Sequence, residues 1–217
     1  MKLKNIVDNI SFHSLKDCDK KEINKILEIR NEEKIRENMF TQHIISIDEH
    51  TKWFDKLKSS DTEEFYCVKY KKKIIGGLGL KDLKKGDQAY WSFHISQNEN
   101  FAGLGASIEF KALVWFFSNF NLKKIYCYVL KKNPLVVKLH RKFGFVDENS
   151  VKTFKQKNID YNDVEHLELS KNKWQEIKTK KYLLLRKKIL YLNQTQIACD
   201  IFIKIKYIHI LPESRTN

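Results

Sequence analysis

The order of strand-like and helix-like stretches predicts an α/β (α+β) sandwich built on a mixed sheet. Three observations carry that expectation. Strand patterns separated by short connections at Lys71-Lys72-Lys73 and Lys84–Asp87 make an antiparallel meander in the middle of the chain. The helix pattern Ala106–Phe120 places Ile108, Leu113, Trp115, Phe116, Phe117 and Phe120 on more than one face, as suits a helix packed on a sheet and under other elements. The full succession reads β-helix-helix-β-β-β-helix-β-helix-β-β.

Taken in order, Ile10–Leu15 is a short strand. Lys20–Arg30 is an amphipathic helix, with Ile23, Ile26, Leu27 and Ile29 on one side and Asp19 as its N-cap. A second helical piece covers Asn31–Met39. Ser46–Asp48 opens a third helix, with a stripe of Trp53, Phe54 and Leu57, which stops at Ser59-Ser60-Asp61. The meander strands are Glu64–Tyr70, Ile74–Leu83 and Gln88–Gln97. Gly76, Gly77 and Gly79 inside the second of them mark a bulge or a place where something passes close to the backbone. Lys124–Leu130 alternates as a strand. Asn133-Pro134 starts a helix, with Asn as cap and Pro in the first turn, and the helix ends at Phe143-Gly144-Phe145. Two closing strands are expected at Val151–Gln156 and Val164–Leu169. Residues 1–178 read as one domain. Residues 179–217, basic and rich in Leu and Ile, read as an extension: either a loosely packed end or a membrane-surface or dimer arm.

With 217 residues, 42% of them hydrophobic, the chain can bury a proper core and is not a disordered chain. Cys18, Cys67, Cys127 and Cys199 are far apart in sequence, with no C-x-x-C pair and no His cluster at ligand spacing, so neither a metal site nor a disulfide framework is expected. A reducing, cytoplasmic home is the simpler expectation. No apolar run approaches the roughly 20 residues of a membrane span, and the first dozen residues make no secretory signal. The net charge of +14 suits nucleic acid, a membrane surface or a phosphorylated small molecule. The positive charges are spread along the whole chain without the aromatic spacing of an RNA-binding motif, so no nucleic-acid partner is expected.

The stretch Asn100-Phe101-Ala102-Gly103-Leu104-Gly105-Ala106 joins a strand to a helix. Two glycines let the backbone turn tightly and leave free N–H groups at a helix start, where the dipole favours an anion. Such a junction is either a phosphate cradle or a tight turn needing small residues. Ile95–Ala106, then Ile125–Leu130, then Asn133–Phe145 (NPLVVKLHRKFGF) together resemble the GNAT superfamily of acyl-coenzyme A dependent N-acetyltransferases. Its members carry a Q/R-x-x-G-x-G/A loop after the fourth strand and an N-x-x-A-x-x-L-Y-x-K-x-G-F segment after the fifth. The resemblance covers about Ile10–Ser170 and departs at Asn100, Val136 and His140, where Gln or Arg, Ala and Tyr are usual. It implies a mostly antiparallel sheet of about seven strands and acetyl-CoA as cosubstrate. It also implies a cofactor site made of Phe93, Ile95, Asn100, Ala102, Gly103, Leu104, Gly105, Ala106, Asn133, Val136 and His140.

A finer resemblance lies upstream. Arg30-Asn31, Met39-Phe40 and Ile47–Trp53 are similar to the W-R-N … M-F … E-E-H-x-x-W/F pattern of GNAT enzymes that acetylate UDP-linked 4-amino-4,6-dideoxy sugars, in pseudaminic acid biosynthesis and flagellin glycosylation. It implies a nucleotide-sugar partner and substrate contacts from Arg30, Asn31, Met39, Phe40, His50, Trp53 and Tyr90, with a homodimer left open. Met39, Phe40 and Trp53 equally suit core positions at helical spacing. His140, at the position of the family's acid, is expected to protonate the departing thiolate or else to be a buried structural histidine. No carboxylate lies on Gln88–Gln97, so His94 is the candidate base, or else a plain strand histidine. Cys67 and Cys127 show no neighbouring base in sequence, which favours direct attack in a ternary complex over a cysteine relay. The alternatives are a protein N-terminal acetyltransferase and a non-enzymatic nucleic-acid-binding module.

Overall fold

The computed structural model describes residues 6–99, 101–148 and 160–181. The helices are α1 (Lys20–Arg30), α2 (Glu33–Arg36), α3 (Ile47–Lys58), α4 (Leu104–Asn119), α5 (Pro134–Lys142) and α6, whose described part is 171–181. The strands are β1 (Ile10–Ser14), β2 (Glu64–Tyr70), β3 (Lys73–Lys84), β4 (Gln88–Ile95), β5 (Lys124–Leu130), β6 (Val146–Asp147) and β7 (Val164–Ser170). They form one seven-stranded sheet in the order β1-β2-β3-β4-β5-β7-β6. Every neighbouring pair is antiparallel except β4 with β5.

Local chemistry sets the ends of the elements. Asp19 accepts from the Glu22 amide at the start of α1, and Ser46 accepts from the Glu49 amide at the start of α3. Gly144 follows α5 at φ +89°, a conformation that only glycine enters without strain. The second helical piece is shorter than its sequence pattern suggests, a single turn at Glu33–Arg36. The two-residue β6 forms at Val146–Asp147, where no strand is expected, and the expected strand Val151–Gln156 lies outside the described residues, as does 182–217.

The sheet separates two apolar layers. On one face α4 packs over Leu78, Trp91 and Ile125 through Ile108, Leu113 and Phe116. Trp174 of α6 joins this layer against Phe110 and Phe143. On the other face Ile26 of α1 and Leu57 of α3 cover Cys67 and Leu15. Cys18 and Cys67, distant in sequence, bring their sulfurs to 3.5 Å. No helix of the described residues is long and apolar enough to cross a membrane.

One feature of the sheet places the site. β4 pairs with β5 only at Gln88/Lys124, Ala89/Ile125 and Tyr90/Tyr126, although β4 runs on to Ile95 and β5 to Leu130. Beyond Tyr90 the two strands diverge into a V. The polar edges of that V must be satisfied from outside the ladder.

Candidate active site

The glycine junction sits at the mouth of the V. Gly103 is the N-cap of α4 at φ +90°, and no side chain caps the helix. The Leu104 amide is spent on the Phe101 carbonyl at 3.1 Å, and the Ser107 amide makes the first helical bond, to Gly103, at 3.0 Å. Gly105 and Ala106 therefore carry the amides that have no acceptor within the helix, on its positive end. Leu104 is fully buried and packs into the core beneath the junction. A Cβ on Gly105 would lie 3.9 Å from the Ile95 side chain and 3.8 Å from Leu139, so the loop touches both the end of β4 and α5. Ala102 is exposed beside it. Asn133 occupies the N-cap position of α5, but its side chain makes no capping hydrogen bond, contrary to expectation, while its backbone amide donates to the Leu130 carbonyl at 2.8 Å. Val136 is half-buried against the core. Asn100 lies outside the described residues.

His140 lies on the α4 side of the V, enclosed by its two arms. Trp91 and Phe93 of β4 stand edge-on to the ring, Phe145 tilts against it, and Cys127 of β5 lies near enough to act on its charge. Its Nδ1 is 2.9 Å from Oε1 of Glu109, a fully buried carboxylate inside α4. Burial works against charge on the ring, but Cys127 and Glu109 outweigh it and hold the imidazole well above its ordinary pKa. Burial in turn pushes the Glu109 carboxyl up, with His140 pulling it back.

The opposite face holds a cavity of about 290 Å³. Arg30, Met39, His50, Trp53 and His94 line it together with Thr41, Ile45, Phe65, Ser92, Glu49, Glu63 and Glu64. Gly79 of β3 lines it without a side chain, and Gly77 beside it makes room for two of the wall's rings. A Cβ on Gly77 would meet the Phe65 ring at 2.5 Å and the His94 ring at 2.8 Å. Trp53 packs edge-on to Phe65 and beside His50. Arg30 donates from Nη2 to the Thr41 carbonyl at 2.8 Å, while its buried Nη1 has no hydrogen-bond partner among the described residues. Burial, then the nearby Arg36, lower its pKa. His94 is half-buried, but its Nε2 is shut off from solvent without a partner among the described residues. Burial and then Arg30 push its pKa down to about 3. A ring so reluctant to take a proton is a weak base, whatever its position.

Three expected substrate residues stand elsewhere. Asn31 clamps the 41–46 loop, accepting from the Ile45 amide and donating to its carbonyl, each at 2.9 Å. Phe40 does not line the cavity. Tyr90 stacks on Tyr126 and accepts from the Tyr128 hydroxyl at 3.2 Å, farther along the sheet. Two acids escaped the sequence reading. Glu32 accepts from Ser96 Oγ at 2.6 Å and from the Gln97 amide at 2.8 Å, tying the α1–α2 turn to the end of β4. Glu109 had a visible signal, an acid at helical spacing with Leu113 and Phe116 on a face that is otherwise apolar.

Residues 15–165 match the family described as Acetyltransferase (GNAT) domain. The chain belongs to the GNAT acetyltransferase family. Among solved structures it is similar to a spermidine N-acetyltransferase from Vibrio cholerae in complex with CoA and spermine. That likeness has 25% identity and a TM-score of 0.66, covering 77% of this chain and 98% of that one. It shares its fold with the Campylobacter jejuni N-acetyltransferase PseH, at 16% identity and TM-score 0.57, covering 75% and 99%. PseH in complex with acetyl coenzyme A matches at 17% identity with the same TM-score. No curated protein matches the chain. This GNAT chain is an acyltransferase with acetyl-CoA as cosubstrate. The uncapped start of α4, with the Gly105 and Ala106 amides, fits the pyrophosphate, and the open V beside it fits the pantetheine arm, whose thioester supplies an activated acetyl group. Among the described residues no group of three or more side chains could hold a metal ion.

Proposed function

We propose that this GNAT enzyme transfers acetyl to the 4-amino group of a UDP-linked 4-amino-4,6-dideoxyhexose, by direct attack in a ternary complex, within pseudaminic acid biosynthesis and flagellin glycosylation. The carrying observation is Arg30. Arg30 is half-buried with its Nη1 closed off from solvent, and a charged donor so placed is costly unless an acceptor meets it. Among the described residues no carboxylate pairs with Arg30, and its Nη1 faces no acceptor. A diphosphate supplies both charge and fork-shaped acceptors. The apolar wall of Met39, Trp53 and Phe65 suits a deoxy sugar, which presents a methyl group in place of a hydroxymethyl.

Residue roles follow from the two faces of β4. The acceptor amine enters beside the neutral His94 ring, and its proton leaves through solvent at the cavity mouth. His140 Nε2, across the V, protonates the departing thiolate. A backbone N–H near Ile95, on the diverging strand, polarises the thioester carbonyl.

A polyamine is the second reading, favoured by the carboxylates of Glu49, Glu63 and Glu64 in the wall and by the spermidine acetyltransferase neighbour. Two of these acids are already engaged: Lys16 meets Glu64 at 3.5 Å and His43 meets Glu49 at 3.0 Å. A polycation would also have to lie against Arg30. The test is release of CoA thiol from acetyl-CoA with a panel of UDP-4-amino-4,6-dideoxyhexoses, spermidine and peptides with free N-termini. Turnover of the nucleotide sugars alone is expected; preference for spermidine or a peptide overturns the assignment.

A further inference from the structure

We propose that Glu109 is a positioning residue for His140: from inside α4 it grips the ring by Nδ1 and keeps it as the charged acid whose Nε2 faces the leaving thiolate. The proposal rests on the reading above, in which His140 is the acid.

The geometry is specific. Glu109 is fully buried on a helix whose neighbouring side chains are apolar, and its Oε1 lies 2.9 Å from Nδ1. Oε2 has no hydrogen-bond partner among the described residues. A carboxylate in that position needs a positive neighbour, and two are at hand: the His140 ring and, from α6, Lys181. The groups facing the ring from other elements are the Cys127 thiol of β5, the uncharged Trp91 and Phe93 of β4, and Phe145 after α5. Arg141 and Lys142 share the helix with His140 but lie on its exposed side. The surroundings therefore favour imidazolium, with Nδ1–H donated to Glu109 and the second ring N–H, at Nε2, as the proton that the proposal assigns to the thiolate. A purely structural pair would gain nothing over two apolar side chains of similar size.

The reaction balances on this arrangement. The neutral amine forms a C–N bond to the thioester carbon, the C–S bond breaks with its electron pair on sulfur, and the proton on Nε2 passes to that thiolate. The amine releases one proton to solvent, and one returns to His140. Throughout, Nδ1–H stays on Glu109, which keeps the ring in one orientation and one tautomer.

The experiment titrates the imidazoles of the full chain, labelled at histidine and saturated with CoA, by NMR, with His140→Gln assigning the resonance. His140 is expected to titrate above the ordinary value of about 6.5. In Glu109→Gln, which keeps an acceptor but not the charge, the titration should fall by a unit or more. A His140 titration at the same pH in both proteins overturns the proposal. For turnover of a UDP-4-amino sugar, the alkaline limb should move down by the same amount, lowering kcat up to about tenfold at pH values above both titrations. The KM for acetyl-CoA should stay within about twofold. A shifted titration with an unshifted rate profile also overturns the role. If wild-type enzyme does not turn over the sugar, the acceptor assignment fails, and the NMR titration decides this proposal by itself. Should Glu109→Gln not fold, Glu109→Asp, which retracts the charge, gives the same readings.

Discussion

At the residue scale, environment assigns His94 and His140 opposite roles. His94 is held neutral, down to about pH 3, by burial and Arg30. His50 is also lowered by burial. Both folded values lie below the unfolded one, so the unfolded chain takes up protons first as pH drops below about 6.5 and stability falls with it. His140 has the opposite sign: its contribution is full at low pH and declines as pH rises through its folded value. His94→Gln should therefore lose less stability on acidification than the wild type, the gap reaching about 2 kcal/mol at pH 5 by urea denaturation. The acidic limb of kcat/KM should be unchanged in that variant, because the ring is neutral throughout; loss of the limb would make His94 the base after all. Arg30→Met should raise the KM for the nucleotide sugar about 10- to 100-fold, the worth of a charge-assisted hydrogen bond, with the KM for acetyl-CoA unmoved. Both residue types were legible in sequence. Their electrostatic character was not, since it comes from neighbours on other elements.

At the element scale, the diverging pair β4 and β5 is held open partly from the substrate side. Glu32 fastens the end of β4 through Ser96 and Gln97, and Arg30 lies two residues before it on the same helix end. The turn that follows Arg30 is thereby tied to the end of β4. Glu32→Ala leaves the buried Ser96 hydroxyl without its acceptor and should cost about 1–3 kcal/mol by urea denaturation. It should also raise the KM of both substrates, whereas a merely local role would leave the KM values where they are. The glycines of β3 announced a close approach in the sequence. The approaching groups are the Phe65 and His94 rings over Gly77 and the His94 carbonyl over Gly76, where a Cβ would lie 2.0 Å from the oxygen. No local pattern names those partners, because they lie on β2 and β4.

At the scale of the whole molecule, the charge of +14 suits an acyl donor that carries phosphates and, on the proposed function, an acceptor that carries them too. CoA at about 100 times its Kd should stabilise the protein by about 2.7 kcal/mol, and the gain should shrink as salt weakens phosphate binding. Gly103→Ala, strained at φ +90°, should lower the baseline stability by about 1–2 kcal/mol and reduce that gain. A thermal shift with CoA equal in both proteins would remove the Gly103 junction from the phosphate site.

The sequence by itself determined what near neighbours decide: most helix and strand spans, the caps at Asp19 and Ser46, the glycine junction before α4, and the family pattern from Ile95 to Phe145. Sheet order decided the rest. The fold joins Glu109 to His140 across 31 positions, Cys18 to Cys67 across 49 and Ser96 to Glu32 across 64. It gathers Arg30, Met39, His50, Trp53 and His94 around one cavity while leaving Asn31, Phe40 and Tyr90 out of it. Local periodicity tells which face of a strand a residue occupies, but not which strand lies beside it. The contacts of His140 with Trp91 and Phe93 depend on that second fact.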